Sequence, residues 1–495
     1  LDLLLTPQSA LTEMGFMPLP IISVAQMREW EKATWAAGQS QNVVIKKVGE
    51  TVAHWVLKFT RPADTIVLLA GKGHNGDDVR AAQPHLAERH VELIDVTDPK
   101  TAVPVLAKAV ASVKVTGLRA RTWIVDGLFG IGLDRPLDAD WVKLVEAVNG
   151  SRLPVFSVDV PSGLNAETGE VEGAAIRAAV TLTVGAPKKG LLTAKGRAFV
   201  GRLIVADDIG LVSCPVSGDL NWTQASDFNN FFSRRLEESN KGGYGHVNIC
   251  AGSLGYHGAA VLATRAALRA QPGLVTVFPQ ATAYIPVASQ LQAAMVRPWQ
   301  ARTVPLKKAS ALLIGPGLAA ADLSLDMKNE ARFLWGDAEC PVIVDASALD
   351  WLIPKAGPQG SIRVLTPHPG EAARILSTSV EQVQSDRLGA LRTISKSYGD
   401  AIVVLKGNQT LVGRASGPVF VNSTGNPLLA QGGTGDILAG YIAGLLAQPE
   451  LQKDPLLTVR FAVWQHGLAA DRLCQVKANW IPDDLVDYLG LEENA

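Results

Sequence analysis

The chain has 495 residues, 47% apolar and 19% charged, which suits a soluble protein of two or three domains with large cores. Its formal net charge of −1 gives no electrostatic pull towards nucleic acid or an anionic membrane. Cys214, Cys250, Cys340 and Cys474 stand far apart with no CxxC pair, which argues against a zinc site or disulfide framework and for reduced thiols in a cytoplasmic protein. No apolar run reaches the roughly 18 residues of a membrane span. The opening Leu1-Asp2-Leu3-Leu4-Leu5 lacks the basic residues and cleavage site of a signal peptide.

From 27 to 57 apolar residues recur at helical spacing, Trp30, Ala33, Val44, Val48 and Val52 among them. Strands are predicted at 66–70, 91–96, 123–125, 155–158 and 181–184, most of them separated by segments long enough for a helix. That alternation predicts an α/β fold with a largely parallel sheet. Around 211–240 the pattern dissolves into a polar, irregular stretch. It resumes with a strand at 247–251 and an Ala-rich helix ending at Ala270, then strands at 311–314, 342–344, 363–365 and 401–405. The boundary is placed near 225, giving domains 1–224 and 225–495 that share no alignable repeat.

The first strand ends in Gly71-Lys72-Gly73-His74-Asn75-Gly76-Asp77-Asp78. A glycine turn before a helix directs backbone N–H groups at an anion, although such loops also serve as plain turns, and the spacing is not GxGxxG. Asp126 ends a later strand, and Asp159 another, in Val158-Asp159-Val160-Pro161-Ser162. Strand C-termini of a parallel sheet share one edge, so Asn75, Asp126, Asp159 and Ser162 are expected to converge there. In the second half Gln431-Gly432-Gly433-Thr434-Gly435-Asp436 packs glycines before a helix, a source of backbone donors for a phosphoryl group in flight. Asp436 is then placed to accept the proton of an attacking hydroxyl, where an ordinary helix cap would not need the glycines. No Walker loop is present. His368, between Pro367 and Pro369 after a strand, is a candidate ligand contact.

The first glycine loop, Asp126-Gly127-Leu128-Phe129-Gly130-Ile131-Gly132, the Asp159 segment and Gly185-Ala186-Pro187-Lys188 resemble, in order, the NAD(P)HX epimerase family over most of 20–212. The resemblance implies a Rossmann-like three-layer domain in which Asn75, Asp126 and Ser162 hold potassium. It implies substrate contacts from His74, Asn75, Gly76, Asp77 and Asp78, from Gly130-Ile131-Gly132-Leu133-Asp134-Arg135-Pro136, and from Asp159, which would move the proton at the hydrated carbon. Two residues depart from the family pattern: Asp77 stands where a second glycine is usual, and Lys46 where a glutamate is usual. Asp77 is expected to strain its loop by about 1–2 kcal/mol and to repel a pyrophosphate.

The second half resembles the ribokinase-like superfamily, and within it the ADP-dependent NAD(P)HX dehydratases, over about 235–490. Thr366-Pro367-His368-Pro369-Gly370-Glu371 and the Asp436 segment are its most specific parts. By that resemblance Ala259, Gly317, His368 and Asp436 face hydrated NAD(P)H, and Lys406, Gly407, Asn408, Gln409, Thr410 and Gly435 face the nucleotide. ADP is the implied co-substrate, and magnesium neutralises the transferring phosphoryl. Small-molecule substrates and a homo-oligomer, without nucleic acid or membrane, are the expected partners. The competing expectation is a ribokinase-like small-molecule kinase carrying a non-catalytic N-terminal binding module.

Overall fold

The computed structural model describes residues 18–112, 121–232, 235, 237–300, 304 and 308–490. The chain forms two compact units, one of Pro20–Gly218 and one that runs from Asp219 onward and includes Leu19.

In Pro20–Gly218 the strands form one parallel sheet in the order His90–Asp95, Thr65–Ala70, Thr122–Gly127, Val155–Val158, Val180–Val184, Arg202–Ala206. Side chains alternate across it as strand geometry dictates. Ile66 and Leu68 pack with Val48 and Val52 of helix Gln41–Phe59, whereas Val67 and Leu69 pack with Leu106 and Leu144 on the opposite face. The result is the expected three-layer Rossmann-like unit. The helical stretch expected over 27–57 is two helices, Val24–Ala36 and Gln41–Phe59, parted at Gly38, whose φ of 87° suits glycine. Gly49 has a packing reason: a Cβ there would lie 2.6 Å from Ala81, on helix His74–Ala82.

The second unit carries an eleven-stranded sheet. Its parallel part runs Leu274–Phe278, His246–Cys250, Ala311–Ile314, Val342–Val344, Arg363–Leu365, Ile402–Leu405. The two-residue strand Met295–Val296 adds a parallel edge beyond Leu274–Phe278; with it set aside, counting strands in chain order gives the same sequence as in the first unit. Leu411–Gly413 and Val419–Val421 continue the sheet antiparallel. Leu220–Trp222 then pairs parallel to Val419–Val421. The stretch 211–240 therefore contains a strand of the second sheet, which is why the unit begins at Asp219, ahead of residue 225. A three-residue strand is too short to show a period in sequence.

Helices His257–Arg269 and Thr434–Leu446 lie side by side over this sheet. A Cβ at Gly440 would stand 2.0 Å from Ala263 O, and one at Gly444 2.5 Å from Ala267 O, so the two backbones touch. Because the contact advances four residues on each helix, the helices run parallel and in register. Among the described residues no helix is long and apolar enough to cross a membrane, and all four cysteines are free.

Candidate functional site

In the first unit the chain lays down Thr65–Ala70, then His90–Asp95 on one side and Thr122–Gly127 on the other. The loops leaving the C-terminal ends of Thr65–Ala70 and Thr122–Gly127 diverge there and open a crevice, where open α/β sheets bind ligands. A cleft of about 870 Å³ occupies this place, within the usual size of a ligand site. Lining it are His74, Asn75, Asp78, Gly130, Ile131, Gly132, Leu133, Asp134, Arg135, Pro136 and Asp159. Glu31, Arg28, Lys72, Trp141 and Lys188, not singled out as site residues from sequence, line it too.

Asp159 follows Val155–Val158 with a left-handed φ of 64°, a conformation that aspartate tolerates better than most residues. Its N–H donates to Leu182 O at 2.7 Å, which fixes the turn. The fully buried Lys188 donates its Nζ to Asp159 Oδ1 at 2.6 Å, and also to Thr183 Oγ1 and Val184 O. Ile131 N–H donates to Oδ2 at 3.2 Å, so the second oxygen marks the cleft wall at the Gly130 loop. Burial, and then the charges of Asp159, Asp77 and Glu31, push the Asp78 carboxyl well above the usual range. Burial, followed by Asp159, also raises Glu31.

Behind this wall lies a knot of oxygens. The wholly buried Asp126 accepts from Ser162 Oγ at 2.6 Å, Ser162 N–H at 2.9 Å, Ser157 Oγ at 2.9 Å and Leu128 N–H at 3.2 Å. Burial raises its pKa despite these donors. Asn75 donates Nδ2 to Phe129 O at 2.8 Å and to Val158 O at 3.0 Å. Its Oδ1 is buried with no hydrogen-bond partner among the described residues. The convergence of Asn75, Asp126, Asp159 and Ser162 expected from strand ends is thus seen.

Two expectations are corrected. Gly76 does not line the cleft; a Cβ there would lie 2.0 Å from Gly71 O, so it lets the helix start pack against the loop. Asp77 neither lines the cleft nor strains a loop, because it sits in the first turn of helix His74–Ala82 and is not among the positive-φ residues. An acidic residue is favoured there, and Arg80 pairs with it at 2.9 Å while reaching Asp95 at 2.7 Å and Gly71 O at 2.8 Å. Lys46 is exposed on helix Gln41–Phe59, away from the cleft lining.

In the second unit the loops after His246–Cys250 and Ala311–Ile314 also meet. Gly252 N–H donates to Pro316 O at 2.9 Å and Ser253 Oγ to Gly317 O at 2.7 Å. Gly317, at φ 64°, leaves no room for a Cβ beside Tyr256 O and Ala259. The register of the paired helices, followed one turn back from Gly440 and Ala263, sets the turn of Asp436 level with the turn of Ala259. Two helix N-termini therefore face the same space, and their dipoles favour an anion between them. Gly433, at φ 105°, starts the second of these helices.

Lys406 follows strand Ile402–Leu405 and donates Nζ to the buried Asp345 at 2.7 Å, with Glu371 at 3.9 Å. Thr366 Oγ1 donates to the same Asp345 oxygen at 2.7 Å. Burial acts to lower the Lys406 ammonium, and Asp345 and Glu371 outweigh it, so its pKa is raised. A Cβ on Gly435 would stand 3.4 Å from Lys406 Nζ, so the ammonium lies at the start of the Asp436 helix. Burial, then the charge of Asp345, pushes the Asp436 carboxyl up to about 7, with Lys406 opposing.

His368 also caps a helix. Its Nδ1 accepts from Gly370 N–H at 3.0 Å and Glu371 N–H at 3.3 Å, capping helix Pro369–Leu376. The proton is therefore on Nε2, 3.4 Å from Glu371 Oε1, and the half-exposed ring still borders solvent. Asp345, Glu371 and Lys188 escaped the sequence-level list of site residues. Each sits after a strand or at a helix start with a proline nearby, and that position was the available signal.

Residues 247–490 match the family described as NAD(P)H-hydrate dehydratase, and residues 41–190 match the family of YjeF-related protein N-termini. The bifunctional NAD(P)H-hydrate repair enzyme Nnr of Coxiella burnetii is 32% identical over 469 residues, covering 91% of this chain and 94% of the relative. The enzyme of the same name from Gloeobacter violaceus is 34% identical over 498 residues, covering 93% and 94%. Among solved structures, an ADP/ATP-dependent NAD(P)H-hydrate dehydratase from Bacillus subtilis co-crystallised with ATP/Mg2+ is 32% identical, covers 52% of this chain and 92% of that one, and gives a TM-score of 0.46.

Proposed function

The chain belongs to the family of bifunctional NAD(P)H-hydrate repair enzymes, and from that premise we propose how its residues divide the two reactions. The first cleft interconverts R- and S-NAD(P)HX. Asp159, steadied by Lys188, and Asp78, whose carboxyl is biased towards its protonated form, supply a proton acceptor and donor on one wall. Arg28, Lys72 and Arg135 in the lining suit the pyrophosphate, and Trp141 suits a base.

Asn75 Oδ1, Asp126 and Ser162 fit potassium, because a buried amide oxygen without a partner, a carboxylate and a hydroxyl are hard oxygen donors. When bound, that ion would offset the buried Asp126 charge and stiffen the Phe129–Gly130 backbone. The test is thermal: potassium against matched sodium should raise the melting temperature of the full chain. Asp126→Ala should erase that shift, and an equal shift in both proteins would contradict the assignment.

The second site dehydrates S-NAD(P)HX with ADP. Asp436 takes the proton of the ring hydroxyl as it attacks the transferring phosphoryl, while Lys406 and the two helix N-termini hold the phosphoryl oxygens. That transfer releases AMP, and departure of phosphate with loss of a proton from the adjacent ring carbon then forms the double bond of the dihydronicotinamide. Magnesium carried by the nucleotide would supply neutralisation of the phosphate charge, and because that ion takes only one or two protein carboxylates, Asp345 and Glu371 would be the ones to hold it. The observation that carries the assignment is the juxtaposition of Asp436, Lys406 and paired helix starts. Restoration of dihydronicotinamide absorbance from S-NADHX, dependent on ADP, tests it; accumulation of a stable phosphorylated product would favour a kinase instead. Four free thiols suit a reducing, cytoplasmic compartment.

A further inference from the structure

Arg387 opens helix Arg387–Ser397 behind the Asp386 cap, and its guanidinium is buried. Four of its hydrogen bonds converge on one stretch of backbone. Nη1 donates to Asn408 O at 2.7 Å and Gln409 O at 3.1 Å, and Nη2 to Leu405 O at 3.1 Å and Lys406 O at 3.4 Å. Four carbonyls of residues 405–409 thus turn towards one fixed cation. Only the planar fork of arginine matches such a spread of acceptors.

This has a geometric consequence on the other side of the loop. In a trans peptide the N–H points opposite to the preceding C=O. Carbonyls drawn inward at 405, 406, 408 and 409 therefore aim the N–H groups of 406, 407, 409 and 410 away from Arg387. Lys406 N–H spends itself on Pro367 O at 2.9 Å. The Thr410 N–H closes the turn over Asn408 and Gln409, and those of Gly407 and Gln409 are left on the side away from Arg387, donors of the kind that bind anions. The shape is not one the chain would hold unaided: Gly407 lies at φ 131° and Gln409, not a glycine, at φ 56°. A left-handed non-glycine residue persists where its surroundings over-determine it, and the Arg387 contacts to Asn408 O and Gln409 O are that over-determination.

We propose that Arg387 is the positioning residue of the nucleotide loop: it never meets the ligand, and it locks residues 405–409 so that the backbone N–H groups of Gly407 and Gln409 face the acceptor atoms of a nucleoside diphosphate. This rests on the reading of residues 406–410 as the nucleotide loop. Because the loop is preorganised, its cost of ordering is not charged to binding. Loss of the lock should weaken the nucleotide selectively, whereas a merely structural arginine would weaken both substrates together.

The experiment uses the full chain as native protein, Arg387→Lys and Arg387→Ala, with ADP affinity by calorimetry and KM for ADP and S-NADHX by dihydronicotinamide absorbance. Lysine should raise the ADP dissociation constant on the order of tenfold to a hundredfold, as for lost charged hydrogen bonds. KM for S-NADHX should stay near native. Guanidinium ion at millimolar concentration should recover part of the ADP affinity of Arg387→Ala; if that variant does not fold, Arg387→Lys decides alone. Unchanged ADP affinity in Arg387→Lys, or a proportional loss for both substrates, overturns the proposal while leaving the nucleotide loop in place. Native protein that dehydrates S-NADHX without binding ADP overturns the reading of the loop and the proposal with it.

Discussion

In the first unit Gly71 N–H donates to Gly127 O at 3.0 Å, and in the second Gly252 N–H donates to Pro316 O at 2.9 Å. Both bonds join the loop after the first strand of a parallel series to the neighbour on the side away from the second strand, and, the two-residue edge strand Met295–Val296 aside, both sheets run in the same order. A Cβ on Gly71 would lie 2.2 Å from Leu128 O, and one on Gly317 2.4 Å from Tyr256 O, so each crossing needs a glycine. What differs is which carboxylate the neighbouring lysine touches. Lys188 binds Asp159 itself, the acid on the cleft wall. Lys406 binds Asp345 and leaves Asp436 to burial and to the Asp345 charge, which is why the Asp436 carboxyl rises to about 7. One strand order thus serves two chemistries, set by where a single ammonium is spent.

The largest effect expected is on Asp436→Asn, which should lower dehydration by about a hundredfold to ten-thousandfold, the range for a lost general base. Epimerisation should be untouched; a parallel fall in both rates would break the division between the units. Next comes Lys188→Met. Removing one partner of a buried pair costs about 3–5 kcal/mol, so the variant should lose epimerisation and melt earlier, and a native melting temperature would deny that Asp159 depends on it.

The pH profile sharpens the same contrast. Dehydration should rise with pH through an inflection near 7 and level off above it, as Asp436 ionises. Its pKa is raised relative to the unfolded value of about 3.9. Its protonated form therefore contributes stability that is fully present below about pH 4 and is lost as pH climbs through 7. Melting of Asp436→Asn relative to native should accordingly improve between pH 4 and pH 7, and a flat difference would contradict the raised value. The smallest effect belongs to Asp77→Gly. With the residue helical and paired to Arg80, the change should not speed epimerisation and should cost about 1 kcal/mol of stability through helix propensity and the first-turn charge. A gain in epimerisation would restore the strained-loop view.

Long apolar strands and the glycine loops beside them were legible in the sequence because burial and backbone freedom leave local marks. Val155–Val158 and Ala311–Ile314 are read to the residue. Leu220–Trp222 was not, since three residues inside a polar stretch carry no period and the strand exists only by pairing with Val419–Val421. His74, Asn75, Asp78 and 130–136, which the resemblance put at the substrate, line the cleft, whereas Glu31 and Arg28 come from helix Val24–Ala36, far away along the chain. Asp77 was misread because a shared glycine position was taken for a required conformation, where the backbone is simply helical. Lys188 and Asp345 could not be ranked from sequence, as their importance is a matter of partners.

The most direct test of divided labour follows recovery of dihydronicotinamide absorbance from a mixture of R- and S-NADHX with ADP and magnesium. Native protein should consume both epimers. Asp159→Asn should consume the S epimer at the native rate and stall on R, while Asp436→Asn should interconvert the epimers, seen by chromatography, with almost no recovery of absorbance. Asp159→Asn that still consumes the R epimer at the native rate, or Asp436→Asn that also halts interconversion, would contradict the assignment of one reaction to each unit.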